Sequence, residues 1–276
     1  MPLRMHDRIS VDSVCLGGGM ASWSDVLSYW RELGPRRVSF IGPQAGDDPA
    51  PVREMLSAEN YKLDTIFHPF LPGQHLVAQG DWVEGERARL SSAIKFAAAV
   101  GAKSIYMSTG GHGTLSWDEA AECFSAAVAP CVAEAKDAGV ILMIENTGQL
   151  YANIHIAHSL RDTLTLAEMA GLGVCIDLFG CWSEGGLRET IERAMPRCDL
   201  IQVGDYVYGD RSLPCRAVPG DGDIPLKRIL DWILAAGYDG VFDLELLGPR
   251  IDQEGYFQAT RRAADNLGEI LQSLNA

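Results

Sequence analysis

Eight short apolar runs, each followed by a longer amphipathic stretch, recur from one end of the chain to the other. They are SVDSVCL from Ser10, RRVSFIG from Arg36, LDTIFHPF from Leu63, AKSIYMSTG from Ala102, VILMIEN from Val140, GVCIDLF from Gly173, DLIQVGD from Asp199 and VFDLELL from Val241. Runs of this length and composition read as strands, and the stretches between them carry helical periodicity. Helices are expected over Trp117–Ala138, Pro225–Ala236 and Glu254–Leu274. The first opens on Ser116 with Glu119 three residues on, a capping box. Strands alternating with helices pair in parallel through right-handed crossovers. Eight such units in about 250 residues is the size of a (β/α)8 TIM barrel. No Pro-, Gly- or Ser-rich linker interrupts the 276 residues, so a single domain over 1–276 is expected. A doubly wound open sheet is the alternative, but CLGGGMAS after the first strand lacks the G-x-G-x-x-G spacing of a phosphate loop. Gly17–Gly19 reads as a strand-to-helix loop that lets a ligand pass close to backbone.

Composition narrows the partners. A formal net charge of −14 opposes a phosphate backbone and an anionic membrane alike. The opening MPLRMHDRIS has no apolar leader segment, and no run approaches the roughly 18 apolar residues of a span. The seven cysteines are scattered without a CxxC pair, which suggests neither a zinc knuckle nor a redox dithiol and fits a reducing cytoplasm.

In a barrel, polar residues at the carboxyl ends of strands meet at the catalytic face. Glu145 lies late in the fifth strand, Asp177 late in the sixth, Gln202 in the seventh and Glu245 late in the eighth. Alternation lets each point inward while its neighbours face the helices. Three converging carboxylates repel one another and climb in pKa unless a positive charge joins them. A divalent cation answers this, with the Gln202 carbonyl as fourth ligand. Any one of these residues taken alone reads better as a hydrogen-bonded core polar group. Four on consecutive strands favour the cation. An all-oxygen donor set leans toward Mn²⁺ or Mg²⁺.

Other residues surround that face. His68 ends the third strand and is expected to point to the mouth, and His112 lies in the glycine-rich STGGHGTLSW loop as a substrate contact. His155 and His158 fall at an expected helix start after the fifth strand, in a solvated or capping role. Trp182, with Tyr206 and Tyr208, either walls a substrate ring or packs its loop.

Over nearly its whole length, and most specifically from Val140 onward, the chain resembles the xylose isomerase-like barrels, a family that includes sugar phosphate isomerases and epimerases, inosose and dehydroshikimate dehydratases, and endonuclease IV. LMIEN is similar to the family's strand-five glutamate, VCIDLF to its strand-six aspartate, IQVGD to the H-x-x-D of strand seven, RAVPGDGDIP to the R…PG-x-G-x-I loop, and GYDGVFDLEL to the closing glutamate strand. The resemblance implies a metal held by Glu145, Asp177, Gln202 and Glu245, with Arg216 on substrate oxygens. Two positions depart from it. Gln202 stands where the family usually has a histidine, and Gly180 where D-x-x-H would place another. Six histidines and an acidic surface do not suit the endonuclease branch.

The resemblance therefore implies a divalent-metal isomerase or epimerase of a ketose or related hydroxy-ketone, with Glu145 and Glu245 exchanging the proton through an enediolate. A lyase or dehydratase on the same scaffold begins with the same abstraction. A non-catalytic sugar-binding barrel is the third reading. The partner is a small polyhydroxy ketone, and a homo-oligomer is compatible with all three.

Overall fold

The computed structural model describes residues 5–77, 80 and 82–276. Met1–Arg4, part of the opening read for a leader, lies outside the described residues. The strands are β1 (Ile9–Asp12), β2 (Arg37–Ile41), β3 (Lys62–Pro69), β4 (Ser104–Ser108), β5 (Ile141–Glu145), β6 (Gly173–Asp177), β7 (Cys198–Val203) and β8 (Phe242–Leu244). They pair in parallel in that order and β1 closes on β8, giving the (β/α)8 barrel. The helices are α1 (Trp23–Leu33), α2 (Pro49–Ala58), α3 (Trp82–Val100), α4 (Trp117–Ala138), α5 (Leu160–Ala170), α6 (Leu178–Cys181), α7 (Leu187–Ala194), α8 (Leu226–Ala235), α9 (Pro249–Glu254) and α10 (Tyr256–Ser273). Among the described residues none is long and apolar enough to cross a membrane.

Side-chain alternation divides the core in two. Outward strand residues such as Val11, Val38, Ile105, Ile144 and Ile201 pack with the helices in one large apolar cluster. Inside the barrel, Tyr106, Met143, Cys175, Leu200 and Val241 form a second, smaller one. That plug fills the barrel below the carboxyl ends of the strands, and the next inward positions on β5, β6 and β7 are the polar Glu145, Asp177 and Gln202.

Local sequence signals account for most boundaries. Ser116 caps α4 through the expected box, Oγ accepting from Glu119 N at 3.3 Å while Glu119 Oε2 accepts from Ser116 N at 2.8 Å. The first run is shorter than its apolar content suggests: Asp12 accepts a hydrogen bond from Val14 N and turns the chain into a 3₁₀ segment, Ser13–Cys15. Gly17, Gly18 and Gly19 then adopt φ of +64°, +62° and +81°, a path few other residues follow. The stretch read as one helix from Glu254 is two, broken at Gly255. His155 and His158 precede α5, whose cap is Ser159, so neither begins a helix.

Candidate active site

Glu145 and Asp177 are the last residues of β5 and β6. Glu245 follows β8 by one residue, its N–H still bonded to Val203 O at 3.1 Å. All three point inward, with carboxylate oxygens within 4.8 Å of one another. Between them lies Arg216. Its Nη1 and Nη2 donate to Asp177 Oδ1 and Oδ2, each at 2.9 Å, and Nη2 lies 2.6 Å from Glu245 Oε2. The guanidinium also sits 4.6 Å over the Phe179 ring.

The loop after β7 delivers that arginine, and Asp205 organises the loop. Asp205 is buried, but its carboxylate accepts from the backbone N–H of Tyr206, Gly220, Gly222 and Ile224 at 2.8–3.1 Å. Its own backbone exchanges hydrogen bonds with Ala217, and Arg216 N bonds Leu247 O. The chain is thereby folded back across the barrel mouth with Arg216 aimed inward. A buried aspartate in an apolar run is explained by four donors, since an unmet carboxylate there is costly.

The charges do not balance. Three carboxylates against one guanidinium leave two negative charges in excess when all ionise. Burial, then the charges of Glu245 and Asp177, push the Glu145 carboxyl well above its ordinary range, with Arg216 opposing. Burial pushes Glu245 up to about 8 despite Arg216. For Arg216, burial works against the charge and the ion pairs outweigh it, so it stays protonated. The excess negative charge thus favours the protonated form of the two glutamates unless a further cation enters, and the donor set fits a divalent metal.

Two further residues hold this geometry: Asn146, which the sequence reading passed over, and His155, expected in a solvated or capping role and found fully buried. Asn146 Nδ2 donates to Asp177 O at 2.9 Å and its Oδ1 accepts from Asp177 N at 3.0 Å, tying the ends of β5 and β6. His155 Nδ1 accepts from Thr109 N at 3.0 Å, so the proton resides on Nε2, which donates to Glu145 O at 2.7 Å. Burial lowers the pKa of this imidazole to about 4, and it braces the strand end as a neutral ring. Asn146 also explains Gly180. A Cβ there would meet Asn146 Nδ2 at 2.7 Å, so a side chain at the D-x-x-H position would have to displace the amide that ties β5 to β6.

The carboxylates close the inner end of a cavity of about 300 Å³, also reached by Tyr106, Phe67, Tyr151 and Phe179. Tyr106 donates to Asp12 Oδ2 at 3.1 Å. The structure brings Glu145, Asp177, Glu245 and Arg216 together and does not bring His68, His112 or Trp182 to the cavity wall. Phe67 takes the inward position at the end of β3, so His68 faces the helix side, where burial and then the charge of Arg89 on α3 lower its pKa to about 4. His112 is exposed and bonds Leu115 O within its own loop. Trp182 stacks with Tyr206 and Tyr208, 6.2 and 6.0 Å away, outside the cavity. Gln202 sits beside Asp177 in register, fully buried. Its Oε1 accepts from the Cys175 thiol at 3.2 Å, and Nε2 has no partner among the described residues. A half-turn of the amide exchanges the two atoms, so an oxygen donor there is within its chemistry.

Matched against known families, residues 29–271 fit the model of the xylose isomerase-like TIM barrel. The chain belongs to that family. Among solved structures it is similar to protein SMc04130 from Sinorhizobium meliloti 1021, with TM-score 0.80 and 22% identity over 97% of this chain and 98% of that one. The IOLI protein with a bound zinc atom gives TM-score 0.81 at 12% identity, over 97% and 99% of the two chains. An L-ribulose 3-epimerase gives 0.78 at 18%, over 97% and 95%. At such identities the likeness concerns the fold. No curated protein sequence matches this chain.

Proposed function

We propose that this protein is a divalent-metal-dependent isomerase or epimerase of a hydroxy-ketone, the class to which ketoses belong. The observation that carries the reading is three carboxylates within 4.8 Å of one another at the closed end of a cavity. The cation would be held by Glu145, Asp177 and Glu245, with the Gln202 amide beside them, and the oxygen set favours Mn²⁺ or Mg²⁺. When bound it would supply Lewis-acid polarisation of the substrate carbonyl.

The remaining chemistry falls to the chain. Glu145 and Glu245 stand on β5 and at the end of β8, and one removes the proton next to the carbonyl while the other returns it. A glutamate that also holds a cation is a weaker base, so the working carboxylate keeps one oxygen for the substrate. Arg216, fixed by Asp177, presents its remaining N–H groups to substrate oxygens and favours the negative charge that develops there. The apolar cavity walls exclude water from the transferring proton. L-ribulose 3-epimerase and D-psicose 3-epimerase, both similar in fold, support the isomerase reading over a lyase.

Solvent deuterium uptake into a hydroxy-ketone panel, measured with and without added Mn²⁺ or Mg²⁺, tests the proposal. Metal-dependent uptake that disappears in Glu145→Gln and Glu245→Gln is expected. Uptake unchanged in both variants would refute it, and loss of water from the substrate would assign the lyase instead.

A further inference from the structure

Away from the carboxylates, a substrate in this cavity meets carbon. Val14, Ile41, Phe67, Ile154, Phe179 and Leu247 supply the walls. Against them stand three hydroxyls, of Ser108, Thr147 and Tyr151, while that of Tyr106 is already given to Asp12. Among the described residues no histidine, lysine, asparagine or glutamine side chain lines the space. The one side-chain nitrogen donor on the wall among the described residues is Arg216, which stands at the carboxylate end and is tied to Asp177 and Glu245. Position 180 carries no side chain, and Gln202 is fully buried and does not line the cavity.

This wall discriminates. An open-chain hexulose whose carbonyl and neighbouring hydroxyl are held at the carboxylate end buries four further hydroxyls, each a donor and an acceptor. Each one left unmatched costs about 1–3 kcal/mol. A carbon surface against the same wall gains ~25 cal/mol per Å² removed from water. The volume, about 300 Å³, has room for a single ring.

We infer that the substrate is a hydroxy-ketone with a carbon-rich cyclic or aryl body, not an open-chain sugar. This rests on the hydroxy-ketone reading above and narrows it. The recognition is divided: the carboxylate end reads the reacting carbonyl and hydroxyl, and the apolar wall reads the body.

The test uses probes sharing one reacting head. With Mn²⁺ present, 2-hydroxycyclohexanone and 2-hydroxyacetophenone are titrated calorimetrically against D-fructose and dihydroxyacetone, and deuterium uptake is followed for each. The cyclic and aryl compounds are expected to bind at least tenfold more tightly. Phe67→Ser and Ile154→Thr, which place hydroxyls in the wall, are expected to shrink that ratio. Equal or tighter binding of D-fructose, or a ratio unmoved by both substitutions, overturns the inference. The two failures are separable. Uptake confined to D-fructose sinks the carbon-rich body and leaves proton transfer standing, whereas tight cyclic binding without uptake anywhere sinks proton transfer and leaves the wall's preference intact.

Discussion

Glu145, Asp177 and Glu245 gather at the barrel mouth with Arg216, while Asp12 and Asp243 form a second acidic group inside the same barrel that does not line the cavity. Asp243 stands two residues before Glu245 and so one layer deeper. Both of its oxygens accept from Ser39 Oγ, at 2.7 and 2.8 Å. Asp12 accepts from Val14 N and Tyr106 Oη. Burial comes first among the causes that raise Glu145 and Glu245 at the mouth, and equally for Asp12 and Asp243 below, so a raised pKa does not by itself mark a site. What separates them is access and a permanent cation. The deep pair is sealed among hydroxyls and holds Tyr106 in place, and the mouth trio has a guanidinium and a cavity.

The largest effect should separate the two groups by activity. Glu145→Gln or Glu245→Gln is expected to lower kcat by about 10³ or more, in keeping with loss of a general acid or base. Asp243→Asn, which keeps an acceptor for Ser39, should cost less than tenfold. Steady-state kinetics on the substrate found by deuterium uptake decide this. A loss for Asp243→Asn as deep as for the glutamates would erase the distinction drawn between mouth and interior.

Removing the guanidinium tests the other half of the contrast. Arg216→Ala leaves Asp177 and Glu245 buried without their partner, and breaking such a pair costs about 3–5 kcal/mol. Added Mn²⁺ should restore part of the loss by binding the exposed carboxylates, while substrate affinity falls more than metal affinity. Urea denaturation with and without the ion gives the stability and the metal affinity, and calorimetric titration of substrate gives the third quantity. A variant as stable as wild type in metal-free buffer would make the arginine dispensable to the cluster.

The pH dependence runs opposite to that of an ordinary ion-paired carboxylate. A carboxyl whose folded pKa lies above its unfolded value keeps its proton in the folded state, so the chain loses stability as pH rises between the two. For Glu245 that window runs from about 4.5 to about 8, and for Asp243 it opens near 3.8. Metal-free protein should therefore weaken by a few kcal/mol across this range. Mn²⁺ should flatten the part owed to the mouth, and Asp243→Asn the part owed to the deep pair. Denaturation midpoints from pH 4 to 8.5 would show it, and a flat metal-free profile would contradict the assignment.

The sequence carried the barrel because alternation of strand and helix needs only local patterning, and it carried Glu145, Asp177 and Glu245 because charge at a strand's carboxyl end stands out against apolar neighbours. Arg216 was legible only through its loop motif. Its place between two carboxylates depends on Asp205 folding that loop back, a long-range event no local pattern encodes. His68 misled because strand phase decides direction: Phe67, one residue earlier, holds the inward place. Tyr106 and Phe67 line the cavity yet look like ordinary strand residues, and Asn146 follows Glu145 without any signal of the bonds it makes to β6.

The smallest effect concerns Gln202, which belongs to neither acidic group and touches the boundary between them. Register places it beside both Asp177 and Asp243, and its buried Nε2 has no partner among the described residues. An unmet buried donor costs about 1–3 kcal/mol. Leucine fills much the same volume without that donor and surrenders only the weak bond from Cys175. Gln202→Leu should therefore leave metal-free stability unchanged or raise it by about 1 kcal/mol. If the amide oxygen is the fourth ligand, the same variant should bind Mn²⁺ about tenfold more weakly, a change of ~1.4 kcal/mol. Gln202→His should recover the site and shift its preference toward zinc, since imidazole suits that metal. Metal titration of the three proteins, read beside their metal-free denaturation curves, keeps the two roles apart. Unchanged Mn²⁺ affinity in the leucine variant would return Gln202 to the core and leave the cation to three carboxylates and water.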